Sequence, residues 1–328
     1  MRKISSKQYV GLLSLVLILI LLAGFFYYVD LPTLAGILLR ARPGWFAAAL
    51  AISLLWSLFP ALRLSIMLRK QDIRIPFRQL FLVNLGTRFY SFFSPVSSVG
   101  SVMRFQRLIP PGKAAEGIAA FGAVRAFEIS IALLMGLFWG FGALGGGALD
   151  SGIALLGLVT IAALLWTVLK VSAGAARWAE NRQADAPVRL RQVYNRIGRL
   201  GRAFSQYQTL SVPELSGLFG IALAGDLIGL AGYLCVALSL NIPISFIDLG
   251  WMRSLMVLAA FTPFTLPGGL GMREVSSVLL MTGVGIGAEP ASAFSLLIYM
   301  RSALSALLGG ALEVAFNLEA IRATERIQ

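Results

Sequence analysis

The chain has 328 residues, of which 58% are hydrophobic and only 13% are charged. This composition excludes a soluble globular domain and predicts an all-α polytopic membrane protein. The net charge of +13 is typical of basic cytoplasmic loops that face anionic lipid head groups, and it favours a membrane surface over a nucleic-acid partner. The lack of histidine excludes His-based metal sites and Ser-His-Asp triads, and no metal site or cofactor is predicted.

The first two membrane helices are predicted at about residues 8–29 and 44–66. The first apolar run follows a basic N-terminus, is too long for a signal peptide and has no small-residue cleavage site after it, so it is predicted to stay as an uncleaved anchor. A short external loop containing Pro32 is expected between the two helices, and Trp45 and Trp56 are predicted to be interfacial anchors.

Basic residues flank the next apolar stretch, 79–100, on both sides. The cluster before it is predicted to be cytoplasmic and comprises Arg63, Arg69, Lys70, Arg74 and Arg78. Asn84 and Arg88 interrupt the stretch itself. Basic flanks favour the cytoplasmic side of a membrane, and a helix that spans it can have only one end there. Residues 79–100 are therefore predicted to form a re-entrant hairpin that enters and leaves at the cytoplasmic face.

Three further segments complete the middle of the chain. Helices are predicted at about 116–143 and 151–171, joined by a glycine-rich external turn. Residues 172–212 are strongly basic and predict a cytoplasmic amphipathic segment on the inner membrane surface, too short for a catalytic domain.

The C-terminal part repeats this alternation of helices and broken stretches. A helix at about 214–239 carries Asp226 near its middle, a broken stretch follows at 251–285, and a final helix is predicted at about 290–316. The whole chain is therefore predicted to be a single membrane domain, 1–328, with about six full transmembrane helices, two re-entrant hairpins and cytoplasmic termini.

The second broken stretch contains the most distinctive motif, FTPFTLPGGLGMREV at 261–275. Two prolines and three glycines interrupt the helix, and the ion pair Arg273 and Glu274 follows them. Broken backbone at membrane depth has to be lined by protein or water, because lipid cannot satisfy its polar groups. Ionisable residues in such a place indicate a functional site.

The two broken stretches align with each other. DIRIPFRQL at 72–80 matches NIPISFIDL at 241–249, and the same register places Gly100 on Gly269 and Arg104 on Arg273. The helices before the two copies cross the membrane in opposite directions, so the chain is predicted to contain an inverted repeat with units at about 44–143 and 214–316. Each hairpin would bring an arginine at its tip towards the middle of the membrane.

Arginines next to broken helices suit an anion site. Helix N-termini and exposed glycine N–H groups attract anions, and guanidinium groups bind phosphate through two parallel hydrogen bonds. The predicted substrate-binding residues are Arg104, Arg273, Arg125, Arg301, Gly268, Gly269, Gly271 and Glu274. Glu128 and Asp226 are predicted to be charge partners of the arginines or a proton relay.

Each of these residues has a structural alternative. Arg125 and Glu128 have i,i+3 spacing and are equally well explained as a simple ion pair. Asp226 has the weakest case as a site residue, because a hydrogen bond across a helix interface explains it. Arg253 is interpreted as a snorkelling or cytoplasmic residue rather than a ligand, and Gly225 and Gly229 as positions of close helix packing.

Several of these motifs together resemble the transmembrane, or flippase-like, region of lysylphosphatidylglycerol synthases. The resemblance is carried by PGGLGMRE at 267–274, Tyr299-Met300-Arg301, and the stretch from Pro95 to Arg104 with Val124-Arg125. It implies lipid translocation. Longer members of that family add a soluble aminoacyl-transferase domain, which this chain is expected to lack, so no synthase activity is predicted.

The sequence therefore predicts a non-enzymatic flippase for an anionic lipid, either a phospholipid or a polyprenyl-phosphate-linked glycan. It is expected in the bacterial cytoplasmic (inner) membrane. Two alternatives remain open: a membrane-embedded lipid-linked glycosyltransferase, and a non-transporting membrane protein that docks a partner through 172–212. The oligomeric state is also open, with a homo-oligomer as one alternative.

Overall fold

A computed structural model describes residues 31–93, 99–143, 152, 174–182, 187–259 and 272–325. Within these ranges the chain is helical, with turns and bends between the helices. The α-helices are α1 (Leu31–Leu39), α2 (Pro43–Trp56), α3 (Leu58–Lys70), α4 (Phe77–Phe93), α5 (Val99–Leu108), α6 (Ala114–Ala143), α7 (Val188–Ser205), α8 (Val212–Ser239), α9 (Phe246–Ala259), α10 (Met272–Gly283) and α11 (Ala288–Glu325). A further helical segment covers 174–182, and a 3₁₀ turn, Gln206–Thr209, follows α7.

Four helical stretches of the described chain are long and apolar enough to span a bilayer. They are Pro43–Lys70, Ala114–Ala143, Val212–Ser239 and Ala288–Leu312. Each agrees with a helix expected from the sequence, at 44–66, 116–143, 214–239 and 290–316. The other two predicted helices, 8–29 and 151–171, lie outside the described residues apart from residue 152. A membrane protein with several spans is thus confirmed.

The loop conformation expected around Pro32 is wrong, because residues Leu31–Leu39 form a helix. Proline ends or kinks a helix only when it lies in the interior, where it removes a backbone hydrogen bond. Here Pro32 is the second residue of α1, a position at which its N–H has no partner to lose.

The first candidate span has a break in its middle, at Ser57 between α2 and α3. Pro60 cannot donate to the carbonyl of residue Trp56, four positions earlier, and its ring presses against that carbonyl. Next to this break, the backbone oxygen of Ser57 accepts a hydrogen bond from Asn84 Nδ2 of α4, at 3.4 Å. A side chain of a neighbouring helix is therefore bonded to the backbone at the interruption.

Two apolar cores hold the helices together. One core joins α2, α8, α9, α10 and α11 around buried Phe294, Met252 and Leu249. The other joins α3, α4, α5, α6 and the end of the basic segment around Leu68, Leu80 and Tyr207.

The two broken stretches have similar local architecture in the described residues. α4 packs against α5, and α9 packs against α10. At Gly100 a Cβ atom would lie 2.6 Å from the carbonyl oxygen of Thr87, so α4 and α5 approach closely there. The connections between these helices, 94–98 and 260–271, lie outside the described residues, and they include Gly268, Gly269 and Gly271.

The turns that precede α4 and α9 have the same backbone conformation. Asp72 and Asn241, which the sequence alignment pairs, adopt left-handed φ angles of 54° and 53°. Ile73 N–H bonds to Leu68 O at 2.9 Å, and its counterpart Ile242 N–H bonds to Ala237 O at 3.0 Å. Among the described residues other than glycine, no further positive φ occurs, so this strained conformation is specific to the aligned pair.

Packing between the two halves of the chain is reciprocal. α6, at the end of the first half, packs against α9 of the second half, while α11, at the end of the second half, packs against α4 of the first. The long spans that begin the halves also meet, since α8 packs against both α2 and α3.

The basic segment is helical, as expected, and docks on the rest of the chain. Trp178 of 174–182 packs edge-on against Tyr194 of α7, with ring centroids 5.5 Å apart. Phe204 lies against Gly122 of α6, where a Cβ would be 2.9 Å from its ring. Burial raises the pKa of Tyr207, at the end of this segment, to about 12, and its hydroxyl donates to the backbone oxygen of Met67 at 3.3 Å.

Candidate functional site

A cavity of about 700 Å³ opens among α3, α4, α5 and α6. Three arginines, Arg88, Arg104 and Arg125, line it together with one carboxylate, Glu128. We refer to this space as the first cavity. Its remaining walls are small, hydroxyl-bearing or apolar side chains, so the guanidinium groups dominate its charge.

Arg104 is held in the first cavity by Asn84. Its Nη1 donates to Asn84 Oδ1 at 2.8 Å, and its guanidinium carbon lies 4.8 Å from the ring centroid of Phe121. Because the amide nitrogen of Asn84 already donates to the broken span at Ser57, the oxygen of the same amide is directed to the arginine. The break in the span and the position of Arg104 are thus parts of one hydrogen-bonded chain.

Arg88 carries a charge that no ion pair compensates in the described part of the chain. Among the described residues no carboxylate lies within ion-pair distance of it. Its guanidinium stacks instead on Trp56, with 4.9 Å between the guanidinium carbon and the ring centroid. The charges of Arg301 and Arg104 repel it, and Glu128 attracts it from a greater distance than an ion pair.

Glu128 lies between two arginines. Its Oε1 accepts from Arg63 Nη2 at 3.1 Å, and its Oε2 accepts from Arg125 Nη1 at 3.1 Å. The i,i+3 ion pair expected from the sequence as one alternative is therefore present. The sequence analysis placed Arg63 in the cytoplasmic basic cluster. That assignment is wrong, because Arg63 is buried within α3 and binds the second oxygen of Glu128.

A second cavity of about 210 Å³ lies on the other side of Arg125 and Glu128, which line both spaces. Arg63, Asp226 and Arg253 contribute the remaining charges of this second cavity. In the described part of the chain, the two cavities together are lined by five arginines and two carboxylates.

The interpretation of Arg253 as a snorkelling or cytoplasmic residue is also wrong. It is buried within α9 and donates from Nη1 to Asp226 Oδ1 of α8. Only 6% of its side chain and 10% of that of Asp226 are exposed. Gly229 makes room for the guanidinium, because a Cβ at that position would overlap it. The glycine interpreted as a helix-packing position serves a charged side chain here.

Arg301 lies beside this group without lining either cavity. Its guanidinium carbon is 5.1 Å from the ring centroid of Tyr233, and Arg253 lies 5.7 Å from the same ring. Gly232 of α8 provides the space, because a Cβ there would be 2.8 Å from Arg301 Nη1. The proximity of Arg301 to Arg88 extends the cluster of positive charge from α11 to α4.

Three of these charged residues lie at the middle of candidate spans. Glu128, Asp226 and Arg301 are each close to the midpoint of Ala114–Ala143, Val212–Ser239 and Ala288–Leu312 respectively. Trp56, expected at an interface, is near the middle of Pro43–Lys70 instead, which corrects its interpretation as an anchor. Ionisable residues at this depth are costly to bury and are usually retained for function.

The structure brings together Arg104, Arg125, Glu128, Asp226 and Arg301 from the predicted set. Arg273 and Glu274 fall at the start of α10, but their side chains lie outside the described residues. Sequence reasoning missed Arg63, Arg88 and Arg253 as site residues. The signal that could have found them is a basic residue inside a long apolar run, as distinct from one at its end.

Comparison with known proteins supports a lipid-related membrane protein. Residues 11–310 match the family model described as the lysylphosphatidylglycerol synthase TM region. No curated protein and no solved structure matches the chain. Because the match covers most of the chain, the protein belongs to the family of the lysylphosphatidylglycerol synthase TM region.

Proposed function

We propose that the protein is a flippase that moves an anionic, phosphate-bearing lipid between the two leaflets of the bacterial inner membrane. The observation that carries this proposal is the excess of arginine over carboxylate in the first cavity, at the middle depth of the spans. Cations buried without enough counter-charge are unfavourable, so an anion that enters the cavity would be bound strongly.

The geometry of the arginines suits a phosphate group. Arg88 and Arg104 lie over the rings of Trp56 and Phe121, with their guanidinium carbons 4.9 Å and 4.8 Å from the ring centroids. Their in-plane N–H groups are the donors that bind phosphate in pairs. Nη1 of Arg104 donates to Asn84 Oδ1, and the arginine itself lines the first cavity.

The inverted repeat offers a route for alternating access. The identical turns at Asp72 and Asn241 support the proposed units at about 44–143 and 214–316. The reciprocal packing of α6 with α9 and α11 with α4 also supports them, since a two-fold relation exchanges these contacts. Rocking of one unit against the other would open the cavity to each leaflet in turn, and the hairpins are proposed to be re-entrant.

The function is tested by lipid translocation in proteoliposomes. Fluorescent phosphatidylglycerol and a zwitterionic lipid would be offered to wild type, Arg88→Gln, Arg104→Gln and the control Arg107→Gln. Arg107 lies on the same helix as Arg104 but is exposed and lines neither cavity. Loss of a hydrogen bond to a charged group weakens binding roughly 10- to 100-fold. We therefore expect Arg88→Gln and Arg104→Gln to lower the translocation rate at least tenfold, while Arg107→Gln stays near the wild-type rate.

The outcomes separate this proposal from its competitors. If wild type moves no anionic lipid, or if both cavity variants move it as fast as wild type, the flippase proposal is wrong. A docking protein would retain its partner in Arg88→Gln and lose it when exposed arginines of α7 are replaced. A glycosyltransferase would convert a labelled lipid to a new species, whereas a flippase returns it unchanged. Addition of Arg273→Gln tests the residue whose side chain lies outside the described structure.

A further inference from the structure

One face of α7 carries apolar side chains that stay exposed. Leu190, Val193 and Ile197 are 47%, 48% and 37% exposed. Their spacing of three and four residues places them in one stripe along the helix. A surface helix normally directs such a stripe at the core of its own protein, so an exposed stripe indicates a partner other than the described residues.

Basic residues and a tryptophan accompany this stripe. Arg191, Arg196 and Arg199 are exposed on the other faces of α7. Trp178, which packs on the same helix from 174–182, is half exposed. An amphipathic helix with an apolar stripe and an arginine-rich polar face binds in the interface of an anionic bilayer, and tryptophan is favoured at the same depth.

Hydrogen bonds at the end of this segment place it where a candidate span ends. Gln71 Nε2 donates to the backbone oxygen of Ala203 at 2.7 Å, and the hydroxyl of Tyr207 donates to the backbone oxygen of Met67 at 3.3 Å. Gln71 directly follows the span Pro43–Lys70, and Met67 lies in its last turn. The end of α7 is thus anchored at one end of a span, where lipid head groups are within reach.

The same end of α7 touches the wall of the first cavity. Phe204 lies so close to α6 that a Cβ on Gly122 would be 2.9 Å from its ring. Gly122 and the adjacent Phe121 both line the first cavity, and the guanidinium of Arg104 lies over the ring of Phe121. A displacement of α7 would therefore reach the part of the wall that supports Arg104.

We propose that the stripe and the arginines of α7 bind the anionic lipid surface of the adjacent leaflet, and that this docking regulates the first cavity by keeping Phe204 against α6. Anionic head groups complement the arginines, while the acyl boundary receives the stripe. A nucleic acid would leave the stripe in water. Each arginine near such a surface contributes about fivefold to docking, so lipid charge sets the docked population. The docking goes beyond the proposed function, whereas its regulatory effect rests on it.

A spin label on the stripe tests the docking in nanodiscs. Cys235→Ala removes the single cysteine, and Val193→Cys or the control Asn195→Cys, exposed and opposite the stripe, then carries the label. With phosphatidylglycerol present, the label at 193 should collide mainly with lipid-soluble oxygen and the label at 195 mainly with a water-soluble nickel complex. The ratio of lipid-exposed to water-exposed label at 193 should fall about fivefold in Arg196→Gln. In phosphatidylcholine alone it should fall further.

The regulatory step is measured by translocation of fluorescent phosphatidylglycerol in proteoliposomes. Leu190→Glu places a charge in the stripe, so it should release the label at 193 into water and slow translocation in proportion to the docked fraction that is lost. Asn195→Glu adds the same charge on the opposite face and should match wild type. Neither position lines a cavity, so a direct effect on the arginines there is avoided.

Each outcome decides one part of the proposal. A label at 193 that stays in water in every nanodisc would overturn the docking and favour a protein partner for the stripe. Equal lipid exposure with and without phosphatidylglycerol would overturn the role of lipid charge, since apolar area alone would then explain the docking. Unchanged translocation in Leu190→Glu, with its label released, would overturn the regulation. If wild type moves no anionic lipid, the proposed function and the regulation fail, while the spin label still decides the docking.

Discussion

The ion pair between Asp226 and Arg253 offers the most quantitative test of the site's energetics. It joins α8 to α9, and its two side chains are 10% and 6% exposed. Removing one partner of a buried pair costs about 3–5 kcal/mol, because the other charge remains buried without compensation. Since the second cavity adjoins the pair and can admit water, we expect Asp226→Ala and Arg253→Met each to cost about 3 kcal/mol, at the lower end of this range.

The double variant should behave differently from the sum of the single ones. Replacing both charges by apolar groups leaves no uncompensated ion, and such replacements are often close to neutral. We therefore expect Asp226→Ala/Arg253→Met to cost about 1 kcal/mol, so that the coupling free energy between the two positions exceeds about 3 kcal/mol.

The measurement is the free energy of unfolding of the four proteins in lipid bicelles, for example by steric trapping. Additive effects, with the double variant near 6 kcal/mol, would contradict the assignment of a coupled pair. Single variants within about 1 kcal/mol of wild type would show that water solvates the charges fully, as at an exposed pair. In that case the argument that the mid-membrane arginines are poorly compensated would also fail.

The remaining predictions concern helix packing, the paired turns and the basic segment. Gly309→Ala should destabilise the protein by about 1–3 kcal/mol, because its Cβ would overlap a backbone carbonyl of α4. Gly220 has open space around it, so Gly220→Ala should be neutral or stabilising in the same unfolding assay. Asp72→Gly and Asn241→Gly should stabilise to a similar extent, up to about 1 kcal/mol each, because both relieve a left-handed backbone; opposite effects would count against equivalent turns. Tyr207 has a folded pKa of about 12, above the usual value near 10, so the stability that its neutral form contributes is complete below pH 10 and should decline as the pH rises towards 12. The phenylalanine variant at this position should lack that decline in an unfolding-versus-pH series.

The long helices were predictable because their signal is local. Ala114–Ala143 and Val212–Ser239 begin within two residues of the bounds expected from hydropathy and end where expected. An apolar run of this length has few alternatives at membrane depth, so composition alone specifies it. α1 was missed because proline was treated as a breaker without regard to its position at the start of a helix.

The composition of the charged site was only partly predictable, because it depends on which helices meet. Arg63 and Arg253 were assigned to membrane-surface roles by a rule that treats basic residues near the ends of apolar runs as cytoplasmic. Each is instead turned inwards by a carboxylate on another helix, Glu128 and Asp226 respectively. Asp72 and Asn241, which the internal alignment pairs, share a left-handed backbone conformation that the sequence analysis did not predict.

The way the arginines are fixed explains why arginine, rather than lysine, serves this site. Arg88, Arg104 and Arg253 each place a guanidinium against an aromatic ring, of Trp56, Phe121 and Tyr233 respectively. A guanidinium that stacks on a ring is held through its face, and its N–H donors, which lie in its plane, stay directed at the surroundings. A lysine ammonium held over the same rings would point its charge at the π-face and would have no rigid fork for phosphate. Trp56 and Phe121 thus hold Arg88 and Arg104 without neutralising their charge, whereas Arg253 has both an aromatic neighbour and a carboxylate partner, Asp226.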